Sequence, residues 1–161
     1  YQVDERCVPP TDAQSNWRML QQELLAHAPS VQAFRMEAER SQAAEDYERL
    51  LLDKLPRNAA GIPVFDLVLL GMGSDGHTAS LFPGTPALQE IHRLVIRNTA
   101  PQLEQPRITL TFPVINAAKR KWFLVRGADK APAFAEAQRG QSPAGRISNA
   151  EWFVGREVVQ I

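Results

Sequence analysis

Residues 65–84, FDLVLLGMGSDGHTASLFPG, constrain the fold more than any other stretch of the chain. Residues 65–70 are a short, continuous apolar run, the pattern of a strand buried on both faces of a parallel sheet. The run stops in Gly71-Met72-Gly73-Ser74-Asp75-Gly76-His77-Thr78. Its glycines let the backbone turn tightly and let a ligand approach main-chain N–H groups. Residues 78–82 then read as a short helix closed by Pro83-Gly84. Strand, glycine turn and helix start together mark the carboxyl edge of an α/β sheet, where ligands bind.

The rest of the chain alternates in the same manner. Residues 1–3 read as the tail of a strand. Trp17, Leu20, Leu24 and Ala28 recur at helical spacing behind an N-cap at Ser15 or Asn16, and Pro29 closes that helix. Residues 31–36 are a strand candidate, and residues 39–55 an amphipathic helix. Beyond Pro86 a strand at 92–97, a Pro/Gln-rich loop to Pro106 and a β-branched strand at 107–112 (RITLTF) follow. A short helix at 114–118, a strand at 122–125, a helix from Asp129 to Arg139 and a strand at 151–154 complete the order. The expectation is one α/β domain over residues 1–161: a three-layer, Rossmann-like, mainly parallel sheet flanked by helices.

Composition removes whole classes of function. Eighteen basic and eighteen acidic side chains balance to zero net charge, which argues against a nucleic-acid or membrane-surface partner. No apolar stretch is long enough to cross a bilayer, and no signal peptide is recognisable. Cys7 is the lone cysteine, so no internal disulfide can form and a reducing, cytoplasmic compartment is expected. One cysteine and three scattered histidines do not make a metal site.

The chemistry concentrates on the glycine turn. Imidazole titrates near neutrality, so His77 can take a proton from water and return it. Asp75, two residues away, can orient that imidazole, bind a sugar hydroxyl or hold the turn's own N–H groups. Gly73 is a candidate for close main-chain approach to a substrate. Gly71, Gly73 and Gly76 match the bare dinucleotide spacing, but Arg97 and Asn98 stand where that motif wants an acid. Asp4 and Arg6 leave a strand end, the functional edge of a sheet, and on sequence alone the favoured reading is a surface ion pair. Lys130, at a helix start, and Arg107, opening a strand, are anion-ligand candidates. Ser74 and Ser80 lack the flanking pattern of a nucleophile elbow. Trp17, Trp122 and Trp152 sit in apolar periodic segments and read as core.

Four blocks in this order, DERCVPPTDAQSNWR, FDLVLLGMGSDGHTASLFPG, RITLTFPVINAA and FLVRGADKA, resemble the 6-phosphogluconolactonase family over nearly the whole chain. The resemblance implies hydrolysis of 6-phosphoglucono-δ-lactone to 6-phosphogluconate without metal or organic cofactor. It also implies a sheet shared with glucosamine-6-phosphate deaminase and ribose-5-phosphate isomerase. Carried over by position, His77 is the general base, Asp75, Asp4 and Arg6 orient it or hold the substrate, and Lys130 lies near the phosphate, with Arg107 a weaker match. Two departures accompany it. The family's N-terminal segment with its Gly-Gly-Ser-type loop is absent, so these residues alone are expected to expose apolar surface and to be inactive. An aspartate expected after the last tryptophan is also missing, since Trp152-Phe153-Val154 runs into Gly155. Two other classes remain: a sugar-phosphate deaminase or isomerase, which typically ends this turn in Asn-Glu-Pro-Gly rather than Leu81-Phe82-Pro83-Gly84, and a non-catalytic sugar-phosphate-binding module.

Overall fold

A computed structural model describes residues 1–100 and 105–159, so part of the Pro/Gln-rich loop lies outside the described residues. The elements in chain order are β1 (Asp4–Arg6), α1 (Asn16–Glu23), α2 (Ala43–Lys54), β2 (Leu67–Leu70), β3 (Val95–Thr99) and β4 (Pro106–Leu110), then α3 (Phe112–Ala117), β5 (Arg120–Val125), α4 (Ala131–Gln138), β6 (Glu151–Val154) and α5 (Arg156–Val159).

The strands form two sheets. β2, β5 and β6 pair in parallel in that order, the Rossmann-like part of an α/β fold. β1, β4 and β3 pair antiparallel, a second sheet that the alternating pattern does not announce. Phe123 of β5 stacks on Trp152 of β6 at 3.9 Å, and Trp152 meets Phe134 of α4 edge-on at 5.5 Å. This inward face joins a core that includes Val68, Leu70, Val125, Ile115 and Ala137.

The outward face corrects the expectation of a strand buried on both sides. Leu67 and Leu69 alternate with buried Val68 and Leu70, and Leu69 is 53% exposed, as is Leu124 of β5. Trp122 lies on this open face, edge-on to Phe153 at 5.3 Å, rather than in the core. Residues 31–36 form no strand, because their backbone bonds elsewhere: Val31 N–H donates to Ala28 O and Met36 N–H to the Gln2 side chain at 2.9 Å. The short strand at the chain start is Asp4–Arg6, not residues 1–3. α2 begins at Ala43, the first apolar position of its repeat and four residues after the expected start at residue 39.

No helix follows the glycine turn. Thr78 and Leu81 form an isolated antiparallel bridge, and Ala79 takes the left-handed conformation at φ 50°. Thr78 Oγ1 donates to Gly71 O at 2.9 Å, tying the segment back to the end of β2. Its polar groups bond outward, so no helical ladder forms.

Candidate active site

The turn after β2 holds Asp75 and His77 side by side. Asp75 Oδ1 stands 2.5 Å from His77 Nδ1 and accepts the His77 backbone N–H at 3.1 Å. Asp75 thus contacts both the imidazole and one of the turn's own N–H groups. A carboxylate oxygen accepts, so Nδ1 carries the hydrogen, and in the neutral imidazole Nε2 keeps its lone pair. The imidazole also packs on the Phe82 ring, centroids 4.6 Å apart.

Gly73 contributes an absence. Its N–H donates to His77 O at 2.9 Å, so it is already engaged within the turn. A Cβ at Gly73 would lie 2.2 Å from His77 Nδ1 and 2.7 Å from Asp75 Oδ1. Only glycine leaves room for the Asp75–His77 pair. Gly76 is required for a different reason: its φ is 77°, and a Cβ there would meet Ser142 Cβ at 2.6 Å.

The antiparallel sheet supplies the charge. In the β1–β4 register Asp4 faces Thr109 and Arg6 faces Arg107. Residues directly opposite across an antiparallel pair share a face, as do positions i and i+2 along a strand. Asp4, Arg6, Arg107 and Thr109 therefore project to one side. Asp4, Arg6 and Arg107 line a cavity of about 230 Å³ with Asn16, Gly71 and Ala79, at the end of β2. The surface ion-pair reading of Asp4 and Arg6 gives way to this arrangement.

Neither arginine is paired with a carboxylate among the described residues. Arg6 Nη1 donates to Gln14 O, and the Arg107 guanidinium lies 5.5 Å from the Phe82 centroid. The Nε atoms of Arg6 and Arg107 are both buried without a hydrogen-bond partner. Burial, followed by the adjacent Arg6 charge, holds the Arg107 guanidinium below its ordinary range. Two cations side by side with unused donors are suited to a dianion.

Asp4 is half-exposed as a residue, yet its carboxyl end is enclosed. Oδ2 accepts from Ser80 Oγ at 2.7 Å and Oδ1 from Asn16 Nδ2 at 3.2 Å. Burial pushes this carboxyl above the usual range, against the opposing pull of Ser80, Arg6 and Arg107. Glu5, on the other face of β1, has a structural task that sequence reading missed. Its carboxylate accepts from the backbone N–H groups of Asn16 at 2.8 Å and Trp17 at 2.7 Å, fixing the start of α1 beside the cavity.

Lys130 follows β5, which runs parallel to β2, so it stands at the same sheet edge as His77. No hydrogen bond among the described residues ties it to the cavity, and the Gly127 N–H beside it donates to Glu157 Oε1 at 3.1 Å. Ser80 and Phe82, the residues that join the turn to the arginines, carry no signal in sequence beyond membership of the same block.

The family description "Glucosamine-6-phosphate isomerases/6-phosphogluconolactonase" matches residues 1–154. A 6-phosphogluconolactonase of Chlamydia pneumoniae is 41% identical over 130 residues, covering 80% of this chain and 48% of the relative. A 6-phosphogluconolactonase of Rattus norvegicus is 38% identical over 170 residues, covering 98% of this chain and 65% of the relative. The solved 6-phosphogluconolactonase of Trypanosoma brucei superposes with a TM-score of 0.83 at 29% identity, over 99% of this chain and 72% of that one. The chain thus spans about half the length of the first of these curated relatives.

Proposed function

Because the chain belongs to the family of glucosamine-6-phosphate isomerases and 6-phosphogluconolactonases, we propose that its full-length protein hydrolyses 6-phosphoglucono-δ-lactone to 6-phosphogluconate. The observation that carries this reading is the 2.5 Å Asp75–His77 contact on the turn beyond β2. Asp75 fixes the tautomer, and His77 Nε2 takes a proton from a water whose oxygen attacks the lactone carbonyl. The tetrahedral intermediate collapses by breaking the bond from the carbonyl carbon to the ring oxygen. His77 returns its proton to that oxygen, and the new carboxylic acid ionises. A lactone is an activated ester, so one base suffices and no serine nucleophile is invoked.

Arg6 and Arg107 are assigned to the phosphate, with Lys130 approaching from the neighbouring strand end. Asp4, between the arginines and the turn, accepts a sugar hydroxyl. Gly73 serves the substrate indirectly, by making room for the pair. A cytoplasmic setting belongs to the same proposal; Cys7, half-buried, has no second cysteine within this chain to pair with. Among the described residues no helix is long and apolar enough to cross a membrane.

The test is lactone opening above the spontaneous rate, with 6-phosphoglucono-δ-lactone generated in situ, for the full-length protein and its His77→Ala variant. The variant is expected to lose about 10²- to 10⁴-fold, the usual range of a general base. A wild type that leaves the lactone alone but releases ammonia from glucosamine 6-phosphate would move the chain to the isomerase branch. Activity in neither assay would leave a sugar-phosphate-binding module.

A further inference from the structure

Ser80 is fully buried three residues beyond His77, and its polar groups reach every strand of the antiparallel sheet. Its hydroxyl donates to Asp4 Oδ2 on β1 at 2.7 Å. Its backbone N–H donates to Thr109 Oγ1 on β4 at 3.1 Å, and its carbonyl accepts from Asn98 Nδ2 on β3 at 2.8 Å. Asn98 Nδ2 is steadied in turn by Thr85 Oγ1 at 3.1 Å. Ala79, held at φ 50°, is the hinge that turns the chain from the base-bearing turn into this anchor, and it lines the same cavity as Asp4, Arg6 and Arg107.

A nucleophile would need its hydroxyl hydrogen aimed at a base that can remove it, with the oxygen free to attack. Ser80 instead gives its hydrogen to a carboxylate already engaged by Asn16. The arrangement holds a position rather than performing chemistry.

We propose that Ser80 is a positioning residue for the lactonase reaction, fixing the Asp4 carboxylate and bolting the His77 turn to the sheet that carries Arg6 and Arg107. The proposal rests on the functional reading above. The hydroxyl favours ionised Asp4 by donating to it, which offsets part of the effect of burial. The charged groups around that carboxyl are Glu5 and Arg6 on β1 and Arg107 on β4, while α1 presents the neutral Asn16 and the 78–81 segment presents Ser80. Glu5 points its carboxylate to α1, so the two arginines are the cations that Asp4 balances.

The experiment uses the full-length protein with carboxyl-¹³C-labelled aspartate and compares wild type, Ser80→Ala, Asp4→Asn and the double variant. In Ser80→Ala the Asp4 carboxyl is expected to titrate about one pH unit higher, since a hydrogen bond to a charged group is lost. Lactone kcat/KM is expected to fall about tenfold or more in Ser80→Ala, yet to fall no further when Ser80→Ala is added to Asp4→Asn. Additive losses, or an Asp4 titration that does not move, would overturn the proposal, because a filler role lowers activity without passing through Asp4. Should Ser80→Ala fail to fold, Ser80→Cys keeps the volume with a weaker donor and must shift the titration the same way by less. If no form opens the lactone while the titration still moves, the functional reading falls and the Ser80–Asp4 linkage stands.

Discussion

Adding one methyl group at Gly73 should separate activity from stability. Gly73 does not occupy the left-handed region, so alanine meets no backbone penalty there. The new Cβ would sit 2.2 Å from His77 Nδ1 and 2.3 Å from Cε1, where ordinary contact begins at 3.4 Å. The imidazole must retreat by about 1 Å or more, and a misplacement of that size costs roughly 10²-fold in rate. The retreat also opens the 2.5 Å contact that sets the tautomer, so the expected fall in kcat is about 10²- to 10⁴-fold.

Folding should scarcely register the change. The His77 and Asp75 side chains are 30% and 36% exposed, and the imidazole can swing outward without opening the core. An exposed pair of this kind contributes about 0–1 kcal/mol. That corresponds to a melting-temperature change of about 4 °C at most for a chain of this size. Gly76→Ala is the contrasting control. It forces a side chain onto φ 77° and into Ser142 Cβ at 2.6 Å, so it should lower the melting temperature clearly, with about 1–2 kcal/mol from the backbone alone. Steady-state kinetics and calorimetry on the same preparations decide the matter. Wild-type kcat in Gly73→Ala would show that the Asp75–His77 geometry is not what the reaction uses, and a Gly73→Ala melting loss equal to that of Gly76→Ala would assign the effect to folding.

Asp4→Asn should raise the melting temperature at neutral pH while lowering activity. The folded-state carboxyl lies above its ordinary range, so its contribution to stability is complete below the unfolded value of about 3.9 and is lost as pH rises through the folded value. The gain from Asp4→Asn should therefore vanish in melts at about pH 3, and an equal gain at every pH would refute the linkage. Arg107→Met should raise KM for the phosphorylated lactone roughly 10- to 100-fold, from the loss of a charged hydrogen bond worth about 1.5–3 kcal/mol. Its kcat/KM on unphosphorylated gluconolactone should stay within about twofold of wild type, and a parallel loss on both substrates would remove Arg107 from the phosphate.

What the sequence disclosed is what the chain decides locally. Asp75 and His77 are two residues apart, the glycines that let them meet lie in the same turn, and β6 was readable at its observed bounds because Glu151–Val154 stands alone between turn residues. The arginine pair was not legible as a pair. Arg6 belongs to a strand of three residues, too short to show a period, and its partner is fixed by an antiparallel register with Arg107. Strand direction leaves no mark on composition, so the β1–β4–β3 sheet was hidden behind an alternating α/β pattern. The link from Ser80 to Asp4 spans 76 positions. The failed helix at residues 78–82 has a related cause. Thr78 and Ser80 bond to partners far along the chain or back in the turn, and those tertiary bonds override a local helical reading.

The two sheets divide the labour of the site in a way that explains the awkward chemistry between them. Like charges directly opposite on paired strands destabilise a sheet, and a buried Nε without a partner adds a further cost. Arg6 and Arg107 carry both penalties in the free protein. Asp4 offsets only part of the charge, and its own burial opposes its ionisation. A fold selected for stability alone would place a carboxylate against these guanidiniums, as Glu48 is placed against Arg93 at 3.2 Å elsewhere in the same molecule. The Nε donors of both arginines instead remain unmatched beside the cavity at the end of β2, with Arg107 one Phe82 ring away from His77. On the proposed reading, a phosphate dianion bound between the two guanidiniums would relieve this repulsion. The binding energy of that remote group would then hold the lactone carbonyl against His77, so on this reading phosphate recognition serves rate as well as affinity.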